Sequence, residues 1–217
     1  MSETSSRDSK RTLREITARY DRLARFYRLL EPLYLIFAPA RRKAVDALHL
    51  SPGDVVLEIG SGTGRNLQYL TREVGSAGTI IGVDASPGML AQAKLLVDAR
   101  AWDNVELIEQ DAEQLTIDRD LDGVLFSLSY SVIPNPMRAV ELSWARLRPG
   151  GRLVVMDAGL PDNRLGRILG SVSQFHLWLT PGNPYTHPWD DLRGYGTVET
   201  EHFLFGIYFV CAVTKPT

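Results

Sequence analysis

The sequence is poor in cysteine and contains no long apolar run. Its 217 residues include one cysteine, Cys211, which excludes an intramolecular disulfide framework and a zinc site built from cysteines. The apolar stretches, such as residues 33–38 and 207–213, are far shorter than the roughly 20 residues that a membrane-spanning helix needs. Residues 1–14 are polar and mixed in charge, unlike a secretory signal peptide. These absences predict a cytoplasmic protein.

The net charge is small but unevenly distributed. At −2, it argues against a general nucleic-acid-binding protein. Residues 1–50 nevertheless hold eleven Lys and Arg against six Asp and Glu, and such a segment either contacts phosphate or an anionic surface or is a solvated helix face. Residues 29–43, where apolar side chains precede three consecutive cations, suggest either peripheral contact with a membrane or a lid that faces the core.

From residue 51 onward, short β-rich runs alternate with helical segments. This alternation predicts one α/β domain over residues 51–217, with a mostly parallel sheet covered on both faces. Two β-rich runs at residues 198–205 and 207–213 predict a terminal antiparallel hairpin. Residues 1–11 are predicted to form a disordered tail, and residues 12–50 a helical N-terminal segment.

A glycine cluster follows the first predicted strand. Gly60, Gly62 and Gly64 allow a sharp turn and bring the backbone close to a ligand. Ligands of open α/β sheets bind beyond the carboxyl ends of the strands, next to the unpaired N–H groups of a helix start. The dinucleotide fingerprint requires its third glycine one residue later, where Arg65 stands, so a nicotinamide cofactor is disfavoured.

The pattern E-x-G-x-G-x-G, which begins at Glu58, resembles motif I of the class I S-adenosylmethionine-dependent methyltransferases. Further matches follow in the family's order over residues 54–157: Asp84, Asp111, residues 121–127 and residues 147–153. The resemblance implies a Rossmann-like, mostly parallel seven-stranded sheet with a C-terminal antiparallel hairpin and helices on both faces. It also implies that S-adenosylmethionine is the cofactor.

The same resemblance implies roles for individual residues. Asp84 would accept hydrogen bonds from the ribose hydroxyls, and Asp111 from the adenine amino group, while the backbone N–H of Ala112 would donate to the adenine ring. The residues expected to bind the cofactor are Glu58, Gly60, Ser61, Gly62, Thr63, Gly64, Asn66, Asp84, Ala85, Met89, Asp111, Ala112, Glu113 and Ser127.

The N-terminal segment carries a second resemblance. Residues 20–27 are similar to the opening motif of methyltransferases that act on quinone precursors and phospholipids, although Arg28 replaces a frequent Asp. The resemblance implies that residues 12–50 form a lid in which Tyr20 and Tyr27 face the substrate; ordinary aromatic packing is the alternative. Residues 29–38, 64–67 and 188–208 also resemble bacterial phospholipid and betaine-lipid N-methyltransferases. The predicted acceptor is therefore small or lipid-like, either a phospholipid head group or a soluble metabolite or quinone-like ring.

A general base is needed only for some acceptors. Tyr130, His176 and His187 are the candidates, and none of them lies in a motif that defines its role. Neither a metal site nor a nucleic-acid partner is predicted, and no oligomeric state follows from the sequence. An aminocarboxypropyl or aminopropyl transferase with the same cofactor, or a non-catalytic cofactor-binding module, remains an alternative.

Overall fold

The computed structural model describes residues 12–27, 38–159, 182–183, 186–203 and 206–217. Two helices come first, and strands and helices then alternate as predicted. The helices are α1 (Leu13–Tyr27), α2 (Ala38–Asp46), α3 (Leu67–Val74), α4 (Pro87–Arg100), α5 (Pro136–Arg146) and the short α6 (Pro188–Asp191). The strands are β1 (Val55–Ile59), β2 (Thr79–Asp84), β3 (Val105–Glu109), β4 (Leu121–Ser127), β5 (Leu147–Ala158), β6 (Val198–Phe203) and β7 (Tyr208–Thr214).

The strands form one mixed sheet in the order β3-β2-β1-β4-β5-β7-β6. Strands β1 to β5 pair in parallel, while β7 runs antiparallel to both β5 and β6. The predicted seven-stranded, mostly parallel sheet and its C-terminal hairpin are thus confirmed. The strand order reverses between β1 and β4, and a crevice forms at such a point in open α/β sheets.

The central strands β1, β2, β4, β5 and β7 are buried on both faces of the sheet, since successive side chains of a strand point to opposite sides. Leu57 and Phe209 belong to one apolar cluster and Val56 and Val210 to the other. Cys211 is fully buried in β7, and burial raises the pKa of its thiol to about 12. The cysteine therefore acts as a small apolar side chain, as its β-rich surroundings predict.

The pairs Ser86-Pro87 and Asn135-Pro136 each predict a helix start, because serine and asparagine favour the N-cap position and proline the first helical position. Before α4, Ser86 Oγ accepts a hydrogen bond from the backbone N–H of Met89 at 3.1 Å, which confirms the predicted cap. Before α5, Asn135 makes no capping bond within the described chain. Its own backbone N–H donates instead to Glu113 Oε1 at 2.9 Å, so only the start of this helix was predicted correctly.

Helix α1 packs closely on the start of α4. A Cβ atom added to Gly88 would lie only 3.2 Å from the Cα of Asp21, so the two backbones approach directly. The helix predicted from residue 12 is described through Tyr27, whereas the predicted tail and residues 28–37 lie outside the described residues. No helix in the described ranges is long and apolar enough to span a membrane.

Candidate cofactor-binding site

A cleft opens beyond the carboxyl ends of β1, β2 and β4, where the strand order reverses. The space between its walls, open solvent included, is about 970 Å³. Helix α1 lines it with Leu13, Ile16, Thr17 and Tyr20, so the predicted lid residue Tyr20 does face the site. The predicted cofactor-binding residues that line the cleft are Glu58, Gly60, Ser61, Gly62, Thr63, Asp84, Ala85, Met89, Asp111, Ala112 and Ser127.

The glycine loop is shaped both by its backbone and by its neighbours. Gly60 and Gly62 have φ values of +72° and +55°, which favour glycine. A Cβ atom on Gly60 would lie 2.4 Å from Ser129 Cβ, whereas one on Gly62 would meet no described atom within 4 Å. Gly60 therefore allows the loop to pack against the end of β4, and Gly62 leaves backbone exposed to the cleft.

Asp84 connects the glycine loop to the start of α4. Its Oδ2 accepts a hydrogen bond from the backbone N–H of Gly62, and its Oδ1 accepts one from that of Ser86, both at 2.8 Å. A carboxylate oxygen can accept more than one hydrogen bond, so ligand hydroxyls can still be bound. Burial raises the pKa of Asp84 despite these donors, and nearby Asp21 raises it further.

Glu58 is a buried acid with one oxygen available to a ligand. Its side chain is 1% exposed, and its Oε1 accepts a hydrogen bond from Asn66 Nδ2 at 2.5 Å. Its Oε2 has no hydrogen-bond partner among the described residues. Burial raises the pKa of this carboxyl to about 7, although Asn66 and Arg41 oppose the shift. A buried acceptor without a partner costs free energy, which a donor on the ligand would offset.

The hydroxyls of two residues on the glycine loop also lack a hydrogen-bond partner. Ser61 Oγ and Thr63 Oγ1 are buried and lack a partner within the described part of the chain. Both residues line the same cleft as Glu58. Three orphaned polar atoms, one near the end of β1 and two on the loop that follows it, indicate a site built to bind a polar ligand.

Asp111 lies on the opposite side of Asp84 from the glycine loop, after β3. It caps a short 3-10 turn (Ala112–Gln114), and its Oδ1 accepts a hydrogen bond from the backbone N–H of Glu113 at 2.9 Å. Asp111 and Ala112 both line the cleft. Their expected contacts with adenine remain predictions that this position allows.

Three predicted cofactor-binding residues are not among the described residues that line the cleft: Gly64, Asn66 and Glu113. Asn66 is 1% exposed and holds Glu58, so its role is to position that carboxylate. Glu113 accepts a hydrogen bond from the backbone of Asn135 and thereby connects two loops. The sequence pattern places these residues near the site, but it does not distinguish residues that hold other side chains in position from residues that line the cleft.

Of the candidate bases, the two that the structure describes, Tyr130 and His187, are not among the residues that line the cleft. Tyr130 is fully buried, and its hydroxyl donates to Asp191 Oδ2 at 2.7 Å. Burial raises the pKa of this hydroxyl, and the bond to Asp191 raises it further, so Tyr130 is a core residue rather than a base. His187 precedes α6 and its ring contacts Trp189, with the ring centroids 5.0 Å apart. His176 and the side chain of Tyr27 lie outside the described residues.

Two residues of the cleft region were missed by sequence reasoning. Arg41 on α2 lines the cleft, and its Nη1 donates to Asn66 Oδ1 at 3.1 Å and to Ser127 Oγ at 3.3 Å. Asp21 Oδ1 accepts hydrogen bonds from Ser86 Oγ at 2.5 Å and from the backbone N–H of Gly88 at 3.0 Å. No sequence motif marks Arg41 or Asp21, because both residues act through packing between segments that are distant in the sequence.

The described residues contain no group of three or more His, Cys, Asp and Glu that could hold a metal ion.

Comparison with known proteins gives a consistent picture. Residues 56–151 match the family model described as a methyltransferase domain. The arsenite methyltransferase of Halobacterium salinarum is 32% identical over 52% of this chain and 30% of its own length. Aklanonic acid methyltransferase DauC of Streptomyces sp. (strain C5) is 31% identical over 64% and 63% of the two chains. The ubiquinone/menaquinone biosynthesis C-methyltransferase UbiE of Pseudomonas entomophila is 29% identical over 58% and 50%. The chain thus spans about a third to two thirds of the length of these relatives.

Solved structures share the fold. The methyltransferase in a complex with the Haloferax volcanii Trm112 methyltransferase activator has a TM-score of 0.76 at 18% identity, over 93% of this chain and 98% of that chain. DhpI in complex with SAH has a TM-score of 0.69 at 19% identity, over 94% and 97%. The shared fold confirms the predicted Rossmann-like sheet. The domain match and the methyltransferase relatives agree with the resemblance of the glycine motif to the class I S-adenosylmethionine-dependent methyltransferases.

Proposed function

We propose that this chain is an S-adenosylmethionine-dependent methyltransferase that acts on a small organic or lipid-like acceptor. One observation carries the proposal: the three orphaned polar atoms of Glu58, Ser61 and Thr63 line one cleft together with Asp84 and Asp111. A ligand with an ammonium group at one end and a nucleoside at the other matches this order of groups.

The residues present fit the parts of the cofactor. Glu58 Oε2 is suited to accept from the ammonium group, Asp84 from the ribose hydroxyls and Asp111 from the adenine amino group. The exposed backbone at Gly62 leaves space for the ligand between these acids. Met89, which is 3% exposed and lines the cleft, offers an apolar surface to the base.

When bound, the cofactor supplies a methyl group that its sulfonium already activates. The chain itself then needs mainly to align the acceptor and exclude water, and alignment can be worth up to roughly 7–11 kcal/mol. Helix α1 supports both tasks, since Ile16 and Tyr20 cover the cleft. Asp21 ties the helix to the start of α4. No separate base is part of the proposal.

The apolar lining favours an organic acceptor over arsenite, on which one relative acts. Trivalent arsenic binds thiolates, and the sequence contains one cysteine, whose thiol is fully buried with a pKa raised to about 12. In contrast, Leu128, Val132 and Ile133 offer apolar contacts along the cleft. An aromatic or lipid-like molecule suits these contacts better.

Phospholipid head-group N-methylation is the finer form of the proposal, with a soluble metabolite or quinone-like ring as its alternative. Its support is the resemblance of residues 20–27 and 29–38 to lipid methyltransferases. The described cations near this segment do not strengthen peripheral membrane contact. Arg42 forms an ion pair with Asp46 at 2.8 Å, and Lys43 forms one with Glu201.

The test combines product and acceptor identification. The purified chain is incubated with methyl-labelled S-adenosylmethionine and a cell extract that is then split into lipid and aqueous phases. The proposal predicts S-adenosylhomocysteine as the cofactor product, with label in an organic acceptor. Label in the lipid phase would support the head-group form, and label in the aqueous phase the soluble form. Release of methylthioadenosine would instead identify an aminopropyl or aminocarboxypropyl transferase and overturn methyl transfer.

A further inference from the structure

The loop after β4, residues 128–133, presents two separate pairs of residues to the cleft. Its first two and last two residues line the cleft: Leu128, Ser129, Val132 and Ile133. Tyr130 and Ser131, between these pairs, are not among the lining residues. The loop turns here, since the backbone N–H groups of its last two residues donate to the carbonyl oxygen of Ser129 at 3.0 and 3.2 Å. Tyr130 and Ser131 therefore lie behind the part of the loop that faces the cleft.

Carboxylates from two other elements hold these two residues. The hydroxyl of Tyr130 donates to Asp191 Oδ2 at 2.7 Å. Ser131 donates twice to Asp157, from its backbone N–H to Oδ2 at 2.9 Å and from its hydroxyl to Oδ1 at 3.1 Å. The carbonyl oxygen of Ser131 accepts a bond from the backbone N–H of Asn183 at 2.8 Å. All polar groups of Ser131 are thus bound, and the loop is fixed from behind at two consecutive residues.

Asp157, the residue before the end of β5, holds the loop without lining the cleft. It is 2% exposed, and its Oδ1 also accepts a bond from the backbone N–H of Ala158 at 2.8 Å. Burial raises the pKa of Asp157 to about 6, although the bonds from Ser131 and Ala158 oppose the shift. Above that pH the ionised carboxylate can only accept hydrogen bonds. Its effect on the cleft therefore passes through Ser131.

The backbone of Leu128 is held in a conformation that leucine rarely adopts. Its φ is +57°, in the left-handed region that disfavours bulky side chains. Its backbone N–H donates to the carbonyl oxygen of Met156 at 2.7 Å, and the next residue, Ser129, donates from Oγ to that of Ile59 at 2.6 Å. Strained residues of this kind persist only where their surroundings fix them, and they cluster at functional sites. The loop is therefore a preformed wall of the cleft.

We propose that Asp157 is a positioning residue for methyl transfer: through Ser131 it holds the cleft-lining residues of the loop where they align the methyl acceptor. The inference rests on the proposed function and assigns part of the acceptor's alignment to a residue outside the cleft. A misplacement of about 1 Å can cost a hundredfold in rate. Release of the loop should therefore slow transfer while the cofactor still binds.

The test compares cofactor binding with methyl transfer in Asp157→Asn. Either orientation of the new amide turns its NH2 group toward a backbone N–H, that of Ser131 or that of Ala158, so one bond is lost. Calorimetric titration with S-adenosylhomocysteine measures cofactor binding. Label transfer from methyl-labelled S-adenosylmethionine into serial dilutions of the cell extract measures acceptor use. We expect unchanged affinity for S-adenosylhomocysteine and a fall in transfer at low extract concentration of about tenfold to a hundredfold.

Asp122→Asn is the matched control. Asp122 lies near the other end of β4, where its Oδ2 accepts a hydrogen bond from the backbone N–H of Val55 at 2.8 Å. The substitution disturbs a comparable bond to a backbone N–H and leaves the loop intact, so affinity and transfer should both match the wild type. Ser131→Ala removes only the hydroxyl bond to Asp157 and should lower transfer by a smaller factor at unchanged affinity. This variant decides the question if Asp157→Asn does not fold, as judged by thermal unfolding.

Three results would overturn the inference alone. They are full transfer by the folded loop variant, an equal loss of affinity for S-adenosylhomocysteine, and an equal loss of transfer in Asp122→Asn. A wild type that transfers no label would instead defeat the proposed function, and the inference with it.

Discussion

Replacing Glu58 with glutamine should stabilise the protein while weakening its binding of the cofactor. The carboxyl is 1% exposed, and burial raises its pKa from 4.5 to about 7. Because the folded-state pKa is raised, the group favours the folded state below pH 4.5, and this contribution is lost as the pH rises toward 7. At pH 8 the ionised carboxylate therefore costs roughly 3 kcal/mol of stability.

Glutamine removes this cost, since it is neutral and its oxygen can still accept the hydrogen bond from Asn66. Urea unfolding at two pH values measures the effect. We expect Glu58→Gln to raise the free energy of unfolding by about 3 kcal/mol at pH 8 and by less than about 1 kcal/mol at pH 5. The same variant should bind S-adenosylhomocysteine at least about tenfold more weakly, because the ligand's ammonium group loses a charged partner.

Glu106→Gln is the matched control. This exposed glutamate pairs with Arg119 at 2.7 Å on the surface of β3, and its loss should change stability by at most about 1 kcal/mol at either pH. A lower stability of Glu58→Gln at pH 8, or a gain of equal size at both pH values, would refute the reasoning that the site holds a costly buried charge for its ligand.

Three further predictions concern the neighbouring structure. Asp84→Ala should weaken S-adenosylhomocysteine binding by about 1.5–3 kcal/mol, and an unchanged calorimetric affinity would reject its ribose role. Asp21→Ala should release α1 from the start of α4. We expect faster proteolysis within residues 12–27 and a higher KM for the acceptor. An unchanged rate of proteolysis would contradict the view that Asp21 holds α1 against α4. Ala101 ends α4 in the left-handed conformation, with φ of 49°, which glycine adopts more readily than alanine. Ala101→Gly should therefore raise the free energy of unfolding by about 0.5–1 kcal/mol and leave ligand affinity unchanged. A loss of stability would contradict the left-handed conformation of this residue.

The sheet and much of the cleft could be predicted because their signals are local. The alternation of short apolar strands with helices predicts a parallel sheet, and the glycines after β1 predict a turn that admits a ligand. Asp84 follows from its position at the end of β2, since the carboxyl ends of parallel strands meet at one edge. The pairing of β6 with β7 likewise follows from two β-rich runs around one glycine.

The contributions of Arg41 and Asp21 could not be predicted in this way. Which of three consecutive cations turns toward the cleft depends on how α2 packs on the sheet, and that packing has no sequence period. Asp21 accepts its hydrogen bonds from residues more than 60 positions away along the chain. The burial of Tyr130 could not be predicted either, since its partner Asp191 is supplied by a remote helix. Long-range hydrogen bonds decide these roles.

The central claim is that the glycine loop and two downstream acids form one nucleoside site, and a crystal structure with S-adenosylhomocysteine tests it most directly. The account predicts the ribose hydroxyls within hydrogen-bonding distance of Asp84, the adenine beside Asp111 and the amino group on Glu58 Oε2. A nucleoside bound elsewhere, or Asp84 and Asp111 turned away from it, would contradict the account.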